Sequence, residues 1–144
     1  MIVPDANLLL YAYDRDSQHH ARAAAWLSSV LTGAELVGMP WQTIWAFLRI
    51  STNGRIFTSP LSMEQATGLV DEWLAQDRVR LLAPGERHWT LLKEMLRKGA
   101  MYGSQTTDAQ LAAITLEHGG VLYTTDRDFA RFPGLRWVNP LEKP

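Results

Sequence analysis

Short apolar runs alternate along this chain with stretches of helical periodicity. The apolar runs predict buried strands, and they cover residues 1–5, 35–40, 79–83, 121–125 and 135–138. Helices are predicted between them, at residues 8–13, 18–31, 42–52, 63–76, 86–98 and 108–118. Strands that alternate with helices are typical of an α/β fold. We therefore expect a central parallel sheet of about five strands, covered by helices on both faces.

Polar residues at the predicted helix starts support these boundaries. Asn7 and Ser17 are placed to cap the first two helices. Capping boxes are predicted at two later helix starts, Ser62 with Gln65 and Thr107 with Gln110. Residues 99–105 are predicted to form a flexible approach to the last long helix. No repeat or linker interrupts the pattern, so residues 1–144 are predicted to form a single domain.

Composition narrows the classes of function. With 47% hydrophobic residues among 144, the chain has enough apolar side chains for a real core. A formal net charge of -1 argues against a nonspecific polyanion binder, so any contact with nucleic acid is expected to be local. The absence of cysteine excludes disulfides, thiolate metal sites and thiol catalysis. Neither a signal peptide nor a membrane span is predicted, and a cytoplasmic location is the default expectation.

Three aspartates far apart in the sequence occupy related positions in the predicted fold. Asp5 and Asp126 each follow a short apolar strand, and Asp108 falls in the first turn of a helix. In parallel βα units a helix starts at the edge where its preceding strand ends, so all three side chains are expected at one edge of the sheet. Open α/β sheets bind ligands at that edge, where the strand order switches.

A cluster of three carboxylates is costly without a cation. Two like charges ~5 Å apart repel by roughly 3 kcal/mol at an effective dielectric constant near 20. A hard divalent cation reverses the sign of that energy, and oxygen ligands suit Mg²⁺ or Mn²⁺. Such an ion promotes phosphodiester hydrolysis, which makes this reaction the natural hypothesis.

Each acid also has a purely structural interpretation. An aspartate after a strand is commonly part of a turn or a helix cap, and Asp108 would interact favourably with the helix dipole. Asp128 is placed either to support the acidic site or to cap a short helix around residues 129–131. Asn7 would cap its helix or orient Asp5, since both roles are compatible.

Other polar residues are weaker candidates for the same site. Thr124 is either a hydrogen-bond partner of the acids or a residue selected for its strand propensity. Arg49, Arg55 and Arg127 are candidates for RNA phosphate contacts, although solvated surface charge explains each of them as well. Arg131 shares that ambiguity.

Four stretches, in this order, resemble PIN-domain ribonuclease toxins of the VapC type. They are Asp5-Ala-Asn-Leu-Leu-Leu-Tyr, Phe47-Leu-Arg-Ile-Ser-Thr-Asn53, Thr107-Asp-Ala-Gln-Leu-Ala-Ala113 and Thr124-Thr-Asp-Arg-Asp-Phe129. The resemblance implies an α/β/α sandwich, a homodimer inhibited by a VapB-type antitoxin, and an Mg²⁺- or Mn²⁺-dependent endoribonuclease that leaves 5′-phosphate ends. It places the metal ligands at Asp5, Asp108 and Asp126, with Asp128 as a further ligand or support. It also makes Trp45 and Phe47 candidates for partner contacts.

One position departs from the family pattern. The family usually carries a fourth acid on the helix after the second strand, where this chain has Ala46. Gln42, one turn earlier, offers only a neutral carbonyl. The missing acid is expected to weaken metal binding, particularly at a second site. It also leaves open an alternative function, a catalytically weakened module that binds RNA or antitoxin without turnover.

Two other classes of protein with acidic strand ends fit less well. A haloacid-dehalogenase-like phosphatase would need an aspartyl nucleophile and a well-placed lysine, whereas the first motif here is Asp5-Ala-Asn7 and no suitable lysine follows. A response-regulator receiver would need a phosphoacceptor at a strand end in mid-chain, where this sequence has Met39-Pro40.

Overall fold

The chain folds around a five-stranded sheet in which every neighbouring pair of strands is parallel. A computed structural model describes residues 1–99 and 103–143. The strands are β1 (Ile2–Pro4), β2 (Val37–Pro40), β3 (Val79–Leu82), β4 (Val121–Tyr123) and β5 (Trp137–Val138). Their order in the sheet is β3-β2-β1-β4-β5. The predicted α/β class and all five predicted strands are confirmed.

Helices cover both faces of the sheet. Those within the described residues are α1 (Ala6–Tyr13), α2 (His20–Leu31), α3 (Trp41–Ser51), α4 (Met63–Leu74), α5 (His88–Lys98) and α6 (Thr106–Glu117). Successive strand residues point to opposite faces, and β1 shows this directly. Ile2 packs into a core with α1 to α4, whereas Val3 packs into a second core with α5 and α6. No described helix has the length and apolar character needed to cross a membrane.

The predicted helix starts are only partly correct. Ser62 and Gln65 form the predicted capping box, with the Gln65 backbone N–H donating to the Ser62 hydroxyl at 3.0 Å. Asn7, however, lies inside α1, whose N-cap position is Asp5. Ser17 accepts from the His19 N–H at 3.1 Å in the turn before α2, so it caps that turn and not the helix.

The start of α6 also differs from the prediction. The helix begins at Thr106, so Thr107 lies within its first turn and does not occupy the N-cap. Asp108 remains in the first turn, as predicted. Of the predicted flexible approach at 99–105, residues 103–105 form a single 3₁₀ turn, and residues 100–102 lie outside the described part of the chain.

An aromatic cluster fixes α3 and α4 against α1. The Phe47 and Trp73 rings are 4.7 Å apart between centroids, and the Trp73 indole N–H donates to the Tyr13 hydroxyl at 3.0 Å. Phe47 is completely buried in this cluster, so the prediction that it contacts a partner is wrong. Trp45, on the outer side of the same helix, is 63% exposed and remains available for contacts.

The strand order places a switch point beside β1. From β1 the chain proceeds to β2 and β3 on one side, and then returns to β4 on the other side. Pro4 at the end of β1 pairs with Tyr123 at the end of β4. The residues that follow these two strands therefore emerge side by side at the carboxyl edge of the sheet.

Close packing of Gly120, just before β4, against β1 gives a stability prediction. A Cβ atom at Gly120 would lie 2.6 Å from the Val3 side chain, which is stiff and fully buried. Gly120→Ala is expected to lower the free energy of unfolding by about 1–3 kcal/mol. Gly68→Ala is the matched control, because Gly68 lies in α4 with no neighbouring atom within 4 Å of the added carbon. The control is expected to be neutral or slightly stabilising. Equal urea midpoints for the two variants would contradict this packing argument.

Candidate functional site

Thr124 connects the ends of β1 and β4 through its buried hydroxyl group. The hydroxyl donates to Asp5 Oδ2 at 2.7 Å. It accepts from the Asn7 amide nitrogen at 3.2 Å and from the Asp126 backbone N–H at 3.0 Å. A hydroxyl has one donor and two acceptor sites, so these three bonds use its full capacity. Thr124 therefore fixes the position of the Asp5 carboxylate relative to the loop that carries Asp126.

Main-chain contacts reinforce this arrangement. The Asp5 backbone N–H donates to the Tyr123 carbonyl at 2.9 Å, which extends the pairing of β1 with β4 to the first residue of the site. The hydroxyl of Thr43, at the start of α3, donates to the Pro4 carbonyl at 3.0 Å and is buried. Thr43 was not a predicted site residue, and nothing in its sequence context distinguishes it from an ordinary helix threonine.

Asp108 reaches the same region from α6. It lies with Asp5 and Asn7 on the wall of a cleft of about 260 Å³. Residues from α1, α3 and α6 complete that wall, namely Ala6, Leu10, Gln42, Thr43, Ala46, Arg49, Ile50, Thr107 and Leu111. The cleft therefore opens where the switch in strand order leaves space between helices.

The acidic side chains influence one another's protonation. Burial raises the pKa of Asp5 to about 6, and the charges of Asp108 and Asp126 add to the increase, while the hydrogen bond from Thr124 opposes it. Burial also raises the pKa of Asp108, with further contributions from the charges of Asp126 and Asp128. Arg131 lowers the pKa of Asp108. Asp5, Asp108 and Asp126 are thus close enough to repel one another.

The donor atoms suit a hydrated divalent ion better than a closed metal cage. Within residues 1–99 and 103–143, no three acidic or imidazole side chains converge tightly enough to hold an ion directly. Mg²⁺, however, usually retains several waters and is held through one or two carboxylates. Asn7 adds a buried Oδ1 atom that lacks a hydrogen-bond partner in the described part of the protein. Carboxylate and amide oxygens beside a cleft are therefore compatible with an open site that water completes.

Asp126, and not Asp128, caps the short 3₁₀ helix Arg127–Arg131. Its Oδ1 atom accepts from the Asp128 backbone N–H at 2.9 Å. Of the two roles considered for Asp128, the capping role is therefore excluded. Asp128 instead projects an exposed carboxylate whose Oδ2 atom lies 3.8 Å from a guanidinium nitrogen of Arg131.

The three arginines predicted to contact RNA lie in different surroundings. Arg49 is exposed and lines the cleft. Arg55 is exposed on the loop after α3 and is not among the cleft-lining residues. Arg127 is 79% exposed and forms an ion pair with Glu142 at 2.9 Å. Of the three, Arg49 is therefore the one that lines the cleft together with Asp5 and Asp108.

Ala46 also lies on the wall of the cleft, between Gln42 and Arg49 on the same helical face. This position faces the region where the other acids gather. With alanine here, the cleft wall lacks the carboxylate that the resemblance to VapC-type toxins leads us to expect at this position.

Comparisons with known proteins agree with this architecture. The sequence profile described as "PIN domain" matches residues 2–135. Ribonuclease VapC33 of Mycobacterium tuberculosis is 40% identical over 143 residues, which is 99% of this chain and 100% of that protein. Ribonuclease VapC37 of the same species is 39% identical, covering 97% of each chain.

Solved structures show the same fold at lower sequence identity. VapBC2 from Rickettsia felis, bound to a fragment of its promoter DNA, aligns with a TM-score of 0.67 at 18% identity, covering 96% of this chain and 98% of that one. Mycobacterium tuberculosis VapC20, a toxin that cleaves the sarcin-ricin loop, aligns with a TM-score of 0.65 at 16% identity. That alignment covers 94% of this chain and 99% of VapC20.

The raised pKa of Asp5 gives a prediction for the metal-free protein. Because the pKa is about 6 in the folded state and 3.8 in the unfolded reference, the folded state binds this proton more tightly. Stability should therefore fall as the pH rises from about 4 to about 6. Asp5→Asn removes this penalty and should raise the free energy of unfolding by about 3 kcal/mol at pH 8.

Urea denaturation in EDTA at pH 4.5 and at pH 8 would measure this effect. The gain from Asp5→Asn should be much smaller at pH 4.5, where Asp5 is largely protonated in the folded state. Asp71→Asn is the matched control, since Asp71 is an exposed residue of α4. A gain that is independent of pH would show that burial of the Asp5 charge is not its cause.

Proposed function

This chain belongs to the PIN-domain family and to its VapC-type branch, and on that basis we propose that it is a metal-dependent endoribonuclease, the toxin of a type II toxin-antitoxin pair. The substrate is RNA, and the reaction is hydrolysis of a phosphodiester bond that leaves 5′-phosphate and 3′-hydroxyl ends. The curated relatives with full-length similarity carry the name ribonuclease, which supports this assignment.

The hydrogen-bonded group at the sheet edge is the observation that carries the proposal. Asp5 and Asp126 follow adjacent strands and are joined through Thr124, while Asp108 approaches from α6 on the cleft wall. A purely structural cluster would gain nothing from burying an acid whose pKa is raised to about 6. Perturbed acids in a cleft are a common feature of active sites.

We propose Asp5, Asp108 and Asp126 as the residues that hold Mg²⁺ or Mn²⁺. When bound, such an ion supplies Lewis acidity toward a phosphoryl oxygen and toward an attacking water. Thr124 donates to the Asp5 carboxylate and in turn accepts from the Asn7 amide, so that the geometry of Asp5 is set before RNA arrives. Arg49, exposed on the cleft wall, is suited to contact a phosphate of the bound strand.

The proposed partners follow from the same family. A VapB-type antitoxin is the expected inhibitor, supported by structural neighbours that are VapBC complexes. The expected assembly of the toxin is a homodimer. The exposed Trp45 side chain and the neighbouring Trp41, whose ring centroid is 6.3 Å away, offer apolar area for protein contacts.

The noncatalytic alternative has one observation in its favour, the presence of Ala46 in the cleft. The comparisons add no support for it. Cleavage that depends on metal separates the two functions, because a binding module would retain RNA without turnover.

A nearly isosteric substitution tests the proposed catalytic role. Asp108→Asn removes one charge from the cleft, and RNA cleavage in Mg²⁺ or Mn²⁺ should fall by about 100-fold or more, since loss of a ligand weakens both ion binding and geometry. Cleavage by the wild-type protein should cease in excess EDTA.

Asp71→Asn provides the control for this experiment, because it makes the same chemical change on the exposed surface of α4. Circular dichroism would establish that both variants remain folded. Wild-type cleavage rates for Asp108→Asn, or cleavage that persists undiminished in EDTA, would refute the proposed mechanism.

A further inference from the structure

Arg131 is held in place next to the acidic cluster. Its Nε atom donates to the Asp128 carbonyl oxygen at 3.0 Å. Its guanidinium lies 5.7 Å from the centre of the Phe132 ring, and Phe132 is itself buried. These contacts restrain the long side chain at the end of the 3₁₀ helix, so its charge has a defined position.

The restrained guanidinium faces two carboxylates of the site. One of its terminal nitrogens lies 3.8 Å from Asp108 Oδ2 and 3.8 Å from Asp128 Oδ2. Both distances are longer than a direct hydrogen bond, so the arginine sits between the two acids without being committed to either. Among the ion pairs of residues 1–99 and 103–143, these are the ones that involve an acid of the site.

The positive charge of Arg131 affects how many divalent ions the acidic cluster can bind. Two-metal hydrolytic sites hold their ions about 3.5–4 Å apart and need several carboxylates to offset the charge of both. Here the Arg131 guanidinium already lies between Asp108 and Asp128. On the cleft wall, Arg49 adds a second positive charge and Ala46 contributes no negative one. The remaining negative charge is centred on Asp5 and Asp126.

We propose that Arg131 acts as a built-in counter-ion that takes the place of a second divalent ion, so that the acidic cluster binds one ion and not two. This inference rests on the proposed metal-dependent function, because it concerns the same carboxylates. Arg131 is a positioning residue in this role, since it acts through Asp108 and Asp128. The missing acid at position 46 and the arginine at position 131 both lower the negative charge of the site.

The experiment is a titration of the metal-free protein with MnCl₂. Calorimetry measures the number of ions bound and their affinities, and electron paramagnetic resonance detects coupling between them. The wild-type protein should bind one Mn²⁺, and its spectrum should show no coupling between neighbouring manganese ions. Arg131→Gln should bind a second Mn²⁺ at least ~10-fold more tightly than the wild-type protein does, a shift typical of changes beside metal ligands. The second ion should introduce Mn–Mn coupling into the spectrum.

Three further variants separate charge from other effects. Arg131→Lys retains the positive charge and should still bind one ion. Ala46→Glu should raise the affinity for the first Mn²⁺ by about tenfold, which is within the range for changes around a metal site. It should not add a second ion, because Arg131 is still present. Arg136→Gln is the matched control, since Arg136 contacts the Gly119 carbonyl at the opposite edge of the sheet and should leave Mn²⁺ binding unchanged.

Several results would overturn the inference. They are two coupled ions in the wild-type protein, two ions in Ala46→Glu or Arg131→Lys, or unchanged binding in a folded Arg131→Gln variant. Failure of the proposed function has a different signature. If the wild-type protein binds no Mn²⁺, or if Asp108→Asn binds Mn²⁺ as tightly as the wild-type protein does, the metal site itself is refuted, and this inference with it.

Discussion

The hydrogen bond from Thr124 to Asp5 is the interaction on which the site depends. It spans 119 positions in sequence and joins the ends of two adjacent parallel strands. The same hydroxyl accepts from Asn7 and from the Asp126 backbone, so one buried group aligns the residue that follows β1 with α1 and with the loop after β4. Because its donor and acceptor sites are all used, rotation of the hydroxyl would leave a buried polar group unsatisfied, at a cost of about 1–3 kcal/mol. The geometry is therefore fixed by hydrogen bonding before any ligand binds.

The same hydrogen bonds hold Asp5 in a position that is electrostatically unfavourable. Asp5 loses solvation and lies near two other acids, and its pKa rises to about 6 as a result. Folding of the apo protein at neutral pH must therefore offset a cost that a neutral residue would avoid, and the packed cores on both faces of the sheet provide the compensating stability. Such a site has most to gain from a cation that binds the folded state alone. Under the proposed metal-dependent function, the strain that weakens the apo fold would be a source of affinity for the ion.

The sequence predicts the framework of the site better than its interior. Apolar runs locate all five strands because burial on both faces of a parallel sheet requires nearly continuous hydrophobic residues. Asp108 can be placed in a first helical turn because helical periodicity defines that turn to within a residue or two. Helix caps are less predictable, as Asn7 and Ser17 demonstrate, because polar residues near a helix start also satisfy turns. Phe47 illustrates a different limit, since an apolar residue on a helix fits a core and an interface equally well.

The contributions of Thr124 and Arg131 depend on distances that no sequence pattern specifies. Thr124 is an ordinary strand-end residue until β1 and β4 become neighbours, and only then does its hydroxyl meet both Asp5 and Asp126. Arg131 follows Asp128 by three residues, a spacing that predicts a local ion pair but not its approach to Asp108 on a different element. The number of acids in a motif is therefore an incomplete measure of a metal site. The net charge within a few ångströms also matters, and here it depends on the neutral Ala46 of the cleft wall and on Arg131 beside Asp108 as well as on the aspartates.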